Sequence, residues 1–506
     1  MRAAAILVLL AAPALAEPAF LDRAGALPAP PHVYDGGWEH FVGGGVAVLD
    51  CNGDARPDLF AAGGENPARL FVNATPPGGD IAFAEGAPPA LTGVTGAWPL
   101  DVDGDGLLDL AVLRVGANAL LRGQGACRFE AAPPEWGFVP GAAWSTAFSA
   151  TWEAGAAWPT LAIGNYVDRA DPAGPFGACD ANELHRPDGR RFAAPVRLEP
   201  GFCALSALFS DWRRVGRADL RLSNDRHYYV RGGYEQMWRL DPLRELGAED
   251  GWRRVSLWGM GIGSRDVDGN GFPDVMLTSM GDQLVQFNDG QGYADAPFAL
   301  GTTAHRPYLG DDGRPSTGWH AEWGDVDNDG RVDLFIAKGN VDQMPSNAMA
   351  DPNNLLMQGK GGTFAEAGGA AGVGTTARAR GAALADLNGD GRLDLVVVNR
   401  RAGMELWQNA TPATGHWLAL TPRMFGPNAF GVGAFVEVRT AAGVQVQEVI
   451  VGGGHGGGQA GPLHFGLGDA VRAEVRVVWP GGGPPSDWVV VEADRTVTLW
   501  PADYAR

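Results

Sequence analysis

The sequence lacks the short signatures on which most catalytic sites are built. It has no Gly-x-Ser-x-Gly elbow, no His-Glu-x-x-His pair and no phosphate-binding loop ending in lysine. The nucleophile, zinc and nucleotide chemistries that those spacings serve are therefore not encoded in recognisable form. Its nine histidines are scattered, and a lone one such as His320 is more often a packed polar residue than a catalyst. Gly452-Gly453-Gly454-His455-Gly456-Gly457 has the outward form of a dinucleotide fingerprint. It lies in a strand-rich segment with no helix to follow, and the pyrophosphate site needs that helix. Positive charge is in deficit, and a net charge of −20 disfavours nucleic acid and anionic membrane as partners. Beyond the first sixteen residues there is no uninterrupted apolar run long enough for a helical membrane span. Long amphipathic runs are scarce, and 75 glycines with 36 prolines point to an all-β chain rich in turns.

Cysteine is limited to four, an even number that suits pairing in an oxidising compartment. The N-terminus agrees. Arg2 precedes an apolar run from Ala3 to Leu10, and Ala14-Leu15-Ala16 stands before Glu17. Residues 1–16 are expected to be a signal peptide cleaved after Ala16, leaving a secreted or periplasmic protein.

What the chain has in abundance is one acidic loop. In Asp325-Val326-Asp327-Asn328-Asp329-Gly330-Arg331-Val332-Asp333, oxygen side chains stand at positions 1, 3, 5 and 9. That spacing suits a hard cation seeking about six to eight oxygen ligands. Asp325, Asp327, Asp329 and Asp333 would supply carboxylates, and the carbonyl of Arg331 would serve at position 7. The apolar Leu334-Phe335-Ile336 that follows reads as a buried strand, so the loop joins two strands and is not an EF-hand closed by Glu at position 12. The register recurs at Asp50, Asn52, Asp54 and Asp58, and at Asp101, Asp103, Asp105 and Asp109. It returns at Asp266, Asp268, Asn270 and Asp274, and at Asp386, Asn388, Asp390 and Asp394. Arg56, Leu107, Phe272 and Arg392 hold the seventh place in these copies. One such loop is an ordinary Asp-rich turn, but five in one register point to calcium. Five bound Ca²⁺ would halve the net charge of −20.

The loops recur every 50 to 60 residues, except for a gap of 165 between Asp101 and Asp266 that leaves room for two more units. One is visible from Asp211 to Asp219, where Arg213 takes a ligand position and its guanidinium is expected to stand in for the cation. The other, fainter, runs from Trp152 to Thr160, with the ligand acids gone. Each unit reads as four short strands, in the first unit at 45–49, 59–62, 69–73 and 82–85. Seven such units predict a seven-bladed β-propeller over residues 17–410, because stacked four-stranded sheets bury their faces against one another. Residues 411–506 carry no acidic loop. Alternation at 434–439, 444–451 and 474–479 predicts a small antiparallel β-domain there.

The loops resemble FG-GAP/VCBS repeats, shared with the integrin α-subunit propeller. Asn224-Asp225-Arg226-His227-Tyr228-Tyr229 and the C-terminal segment narrow the resemblance to the cartilage acidic protein (ASPIC/UnbV) family. The C-terminal residues that carry it include His416-Trp417-Leu418, Asn428, Gly431, Leu463-His464-Phe465-Gly466-Leu467-Gly468 and Val478-Trp479-Pro480-Gly481. The glycine run 453–458 is denser than the family leads one to expect. The resemblance implies a secreted calcium-binding propeller, often tied to adhesion or matrix contact.

Some stretches stand outside the repeat. Residues 165–203, with Cys179, Cys203, His185, Arg186, Arg190 and Arg191, read as a long insertion after the third unit, and as the first candidate for a partner surface. The aromatic stretch 227–238 reads as core. The sequons at Asn73 and Asn409 could carry glycans in a host that attaches them. Cys179 and Cys203 bracket one insertion and are expected to pair, leaving Cys51 to join Cys127 across adjacent units. Closing segments share an aromatic-x-acid pattern at Phe83, Tyr293 and Phe364. The seventh unit lacks one, and Phe20-Leu21-Asp22 is expected to fill the vacancy and latch the ring. The functional expectation is a calcium-binding protein of binding or adhesion type, with about five structural Ca²⁺ and an unknown protein or glycan ligand. A propeller hydrolase or lyase acting on polysaccharide and a purely structural envelope or matrix component are the alternatives.

Overall fold

The computed structural model describes residues 17–171, 177–225, 232–310, 312–412 and 414–501; the expected signal peptide lies outside them. Strands dominate. Among the described residues the α-helix Gly368–Ala371 spans four residues, and no helix is long and apolar enough to cross a membrane.

Among the described residues the repeat units fold as seven sheets of four antiparallel strands, the first of them extended by a fifth, parallel strand from the C-terminal part of the chain. Within each, burial falls from the first strand to the last. Val46–Leu49, Val94–Leu100, Ser145–Thr151 and Ala204–Ser210 are buried along their whole length, as strands covered on both faces must be. The fourth strands, such as Phe83–Glu85 and Phe129–Ala131, bury their aromatic residue and expose the rest. First strands of successive sheets pack side by side, and Val46–Leu49 closes the circle against Arg378–Ala385. Radial stacking in a closed circle is the β-propeller.

Ring closure is as expected. Phe20–Asp22 pairs antiparallel with Glu405–Asn409, Phe20 opposite Asn409 and Asp22 opposite Trp407. It is the outer strand of the seventh sheet, the place that Phe364–Glu366 takes in the sixth. Both disulfides join the expected partners, Cys51 to Cys127 and Cys179 to Cys203.

Other expectations need correction. The stretch 165–203 is not an insertion throughout: Asn182–His185 and Val196–Leu198 are the outer strands of the third sheet. With no acidic loop to mark the register, spacing alone misplaces them. His185 is buried against Phe138 and Arg186 pairs with Glu153 at 2.8 Å, so Arg190 and Arg191 are the exposed pair of that basic group. Of the stretch 227–238, residues 227–231 lie outside the described residues, while Gln236–Leu240 is a largely buried strand. The sequon asparagines are structural. Asn73 donates its amide to the carbonyls of Pro57 and Leu387, and Asn409 donates to Val326 and Leu393. Each ties the end of a third strand to its own acidic loop and to the loop of the preceding sheet, which leaves no room for a glycan.

The C-terminal residues form two sheets. One joins Leu463–Gly468, His416–Pro422 and Arg495–Leu499, and the other Gly443–Glu448, Phe435–Thr440, Arg472–Val478 and Val489–Glu492. They close over Leu418, Leu420, Val436, Val438, Phe465 and Val475. The domain has its own core, yet it is interlocked with the propeller. Residues 451–460 run down the propeller axis. Val451 bridges Ala150, Gly452 bridges Leu208, Gly454 bridges Ile262 and Gly457 bridges Ala97. Gln459–Ala460 then adds in parallel to Val46–Leu49. The glycines are needed because backbone meets backbone. A Cβ on Gly45 would lie 1.7 Å from the Gly456 carbonyl oxygen, and one on Gly457 would lie 2.1 Å from that of Val46. His455 is fully buried at the centre. Its Nε2 accepts from Gly43 N at 3.0 Å, and its own N–H donates to His320 Nδ1 at 2.9 Å. The run that resembled a dinucleotide fingerprint is therefore an axial plug.

Candidate metal centres

Every acidic loop has the same internal frame. The first-position carboxylate accepts backbone N–H groups from three to five residues on. Asp50 takes Gly53 and Ala55 at 2.7 and 2.8 Å, and Asp325 takes Asp329 and Gly330 at 3.0 and 2.8 Å. To curl back so tightly the chain turns left-handed at position 6, held by Ala55, Gly106, Gly271, Gly330 and Gly391 with φ of 63–90°. The ninth-position carboxylate clamps two strands. Asp333 accepts Val326 N at 3.0 Å and Gln358 N at 2.9 Å, and Asp58, Asp109, Asp274 and Asp394 repeat both bonds.

Three loops bring positions 1, 3 and 9 together. Carboxylate oxygens of Asp101, Asp103 and Asp109 lie within 4.8 Å of one another, as do those of Asp266, Asp268 and Asp274, and of Asp325, Asp327 and Asp333. The fifth-position acids are drawn elsewhere. Asp54 and Asp390 pair with Arg56 and Arg392 at 2.5 Å, and Asp329 pairs with Arg331. Asp105 shares Arg122 with Asp103, at 2.9 and 2.8 Å. In the first loop Asp58 faces the Cys51–Cys127 disulfide, whose sulfurs are bonded to each other and are not ligands. Asn52, Asn270 and Asn388 sit at position 3 or 5, each with its side-chain oxygen taking a backbone N–H two residues on.

Such clusters are electrostatically expensive without a cation. Burial pushes Asp109 up to about 8 and Asp274 up to about 7. It also lifts Asp58, Asp101, Asp266 and Asp386 to about 6. Asp325 and Asp333 are driven well above the carboxylate range, first by burial and then by acidic neighbours. Asp327, 5 % exposed, leaves Oδ1 without a hydrogen-bond partner among the described residues. Converging hard oxygen donors with one carboxylate oxygen left unpartnered fit a divalent cation such as Ca²⁺.

The degenerate fourth loop corrects one expectation. Arg213 does not replace the cation, because it stacks over Trp212 at 4.3 Å and donates to the Asp250 carbonyl. Arg239, on the neighbouring strand Gln236–Leu240, lies 3.4 Å from Asp219, which also accepts from Trp212 Nε1 at 3.0 Å. Asp211 still accepts Val215 and Gly216 N–H groups, so the loop keeps its shape. Spacing within the loop could not reveal a partner from another strand.

The C-terminal domain sits on the acidic-loop face. Gly415 and Gly468 donate to the carbonyls of Asp327 and Asn328 at 3.0 and 2.8 Å, and a Cβ on Gly466 would meet Asp325 Oδ2 at 1.9 Å. Arg214 of the fourth loop pairs with Glu437, and Glu448 accepts Asp211 N at 2.8 Å. The loop with the clearest ligand pattern therefore lies under the C-terminal domain, which meets it through the backbone of Gly415, Gly466 and Gly468.

Comparison with known proteins gives two family matches. A family described as ASPIC and UnbV matches residues 425–505, and an FG-GAP-like repeat family matches residues 50–112 and 325–397. No curated protein matches the chain. Among solved structures, BBS1N in complex with ARL6DN is 11% identical with a TM-score of 0.43, over 79% of this chain and 99% of that one. The extracellular domain of the putative hybrid two component system BT4673 from B. thetaiotaomicron is 7% identical with a TM-score of 0.42, over 96% of this chain and 60% of that one. The chain thus carries segments that match FG-GAP-like repeats and, after them, a segment that matches the ASPIC and UnbV family.

Proposed function

We propose that this is an exported calcium-binding protein of binding or adhesion type: a seven-bladed propeller over residues 17–410 locked to a β-domain over residues 411–506. Calcium is structural. It occupies the loops opening at Asp50, Asp101, Asp266, Asp325 and Asp386 and holds the acidic face to which the C-terminal domain docks. The observation that carries the reading is the sixth loop, where Asp325, Asp327 and Asp333 converge in a buried site with Asp327 Oδ1 unpartnered. When bound, the cation would supply charge neutralisation and would fix the loop against Gly415, Gly466 and Gly468. Two disulfides support an oxidising compartment. The axial plug fills the channel in which many propellers could hold a ligand, which moves partner binding to the outer faces. Retention of protein and glycan partners by the immobilised full chain, in calcium and in chelator, tests the reading. Calcium-dependent retention of one partner is expected, and turnover of a glycan would replace the binding role with a catalytic one.

A further inference from the structure

Between the fifth and sixth acidic loops and the edge of the C-terminal domain lies a cleft of about 740 Å³, in the size range of small-ligand sites. Five aspartates, Asp469 of the C-terminal side among them, face the cations Arg265, Arg331 and Lys360, and Thr440 and Gln445 complete the C-terminal wall, so the cleft favours an anion only with the acidic loops neutralised. Arg265 is the unusual member. It ends the first strand of the fifth sheet, Gly259–Arg265, where the other six sheets place Leu49, Leu100, Thr151, Ser210, Gly324 and Ala385. It is 8 % exposed. Its guanidinium lies over the Phe465 ring at 5.5 Å and has no hydrogen bond or ion pair among the described residues. Asp266, Asp325 and Glu322 act on it through space, but none pairs with it.

A largely buried guanidinium without a protein partner is costly; of the carboxylates that act on it, Asp266 and Asp325 are those that the cation reading assigns to metal, and Glu322 lies against His320 at 3.0 Å. With cations in loops five and six, Asp266 and Asp325 are engaged, and Arg265 faces the cleft as an uncompensated charge. Its planar fork matches a carboxylate or sulfate oxygen pair. We propose that this cleft binds the carboxylate or sulfate group of a small acidic ligand, with Arg265 as the anchoring charge. Thr440 and Gln445 offer hydrogen bonds to its neutral portion. The proposal rests on cation occupancy of loops five and six.

The test is calorimetric titration of the full chain with glucuronate, sulfate and, as a neutral control, glucose, after a separate calcium titration has fixed cation uptake. Expected is binding of glucuronate and sulfate in mutual competition, with none of glucose. Arg265→Gln should weaken both by at least about tenfold, while Arg190→Gln, exposed on the third sheet, should leave them unchanged. Because Arg265→Gln could disturb docking of the C-terminal domain, its calcium stoichiometry is measured in parallel. Lys360→Gln at the cleft wall should weaken sulfate less than Arg265→Gln. Calcium uptake with no probe binding, or an Arg265→Gln variant that binds both anions like the parent, overturns the proposal alone. Absence of calcium uptake overturns the cation reading and this proposal with it.

Discussion

Replacing Gly45 with alanine should separate the C-terminal domain from the propeller while leaving each core intact. The added Cβ would lie 1.7 Å from the Gly456 carbonyl oxygen and 2.0 Å from its carbon, about half a normal contact distance. That carbonyl also accepts Ala97 N at 3.1 Å, so the plug cannot retreat without giving up a bond to the second sheet. Overpacking costs about 1–3 kcal/mol and a lost hydrogen bond about 1 kcal/mol, which together give roughly 2–4 kcal/mol. Gly461→Ala is the control, because nothing lies within 4 Å of a Cβ there; its effect should stay below about 0.5 kcal/mol. Urea unfolding in saturating calcium measures the difference, and limited proteolysis between residues 410 and 416 reports release of the domain. A Gly45→Ala protein as stable and as protease-resistant as the parent would refute the axial plug.

Phe20→Asp should open the seventh sheet, since Phe20 is buried in one core cluster with Ala371 and Val373; a loss of about 3 kcal/mol is expected in urea unfolding, with Leu21→Asp, on the exposed side, near neutral. Burial lowers His455 to about 3, so the folded state keeps it neutral while the unfolded chain takes up a proton near 6.5. Its contribution is present above pH 6.5 and is lost progressively as pH falls from there towards 3. Unfolding of the parent in saturating calcium should weaken across that window, and His455→Gln should show a shallower slope. Arg239→Ala should destabilise by about 1–3 kcal/mol by leaving the charge of buried Asp219 facing Trp212 Nε1 alone, whereas Arg213→Ala should cost less; equal losses would contradict Arg239 as the charge partner of Asp219.

The repeat pattern was legible because its signals are local. Acids at fixed offsets and a left-handed position at the turn recur in five units and an aromatic-x-acid closing strand in several, so most of the sheets, the Phe20–Asp22 latch and both disulfides follow from counting. What escaped depends on residues far apart in the chain. Arg239 reaches Asp219 from another strand. The third sheet lost its marker acids, so Asn182–His185 passed for part of an insertion. The glycine run signalled close backbone approach, but nothing in the sequence says that it approaches the inner strands of a ring, from Ile262 back to Val48. Arg265 offered one faint signal: a charge at the end of an inner strand where the other units place neutral residues.

Calcium binding followed through stability is the most direct test of the account. A ligand bound by the native state alone adds RT ln(1 + [L]/Kd), roughly 1.4–2.7 kcal/mol per site at ten to a hundred times Kd. Five sites would sum to roughly 7–13 kcal/mol, comparable to the whole stability of a typical domain. Scanning calorimetry of the full chain should therefore show a sharp fall in melting temperature on chelation. Titration should count about five ions, one fewer in Asp327→Ala, which removes a converging carboxylate of the sixth loop, and the same number in Asp211→Ala. An unchanged melting temperature in chelator, with no calcium taken up, would contradict the structural role assigned to the five acidic loops.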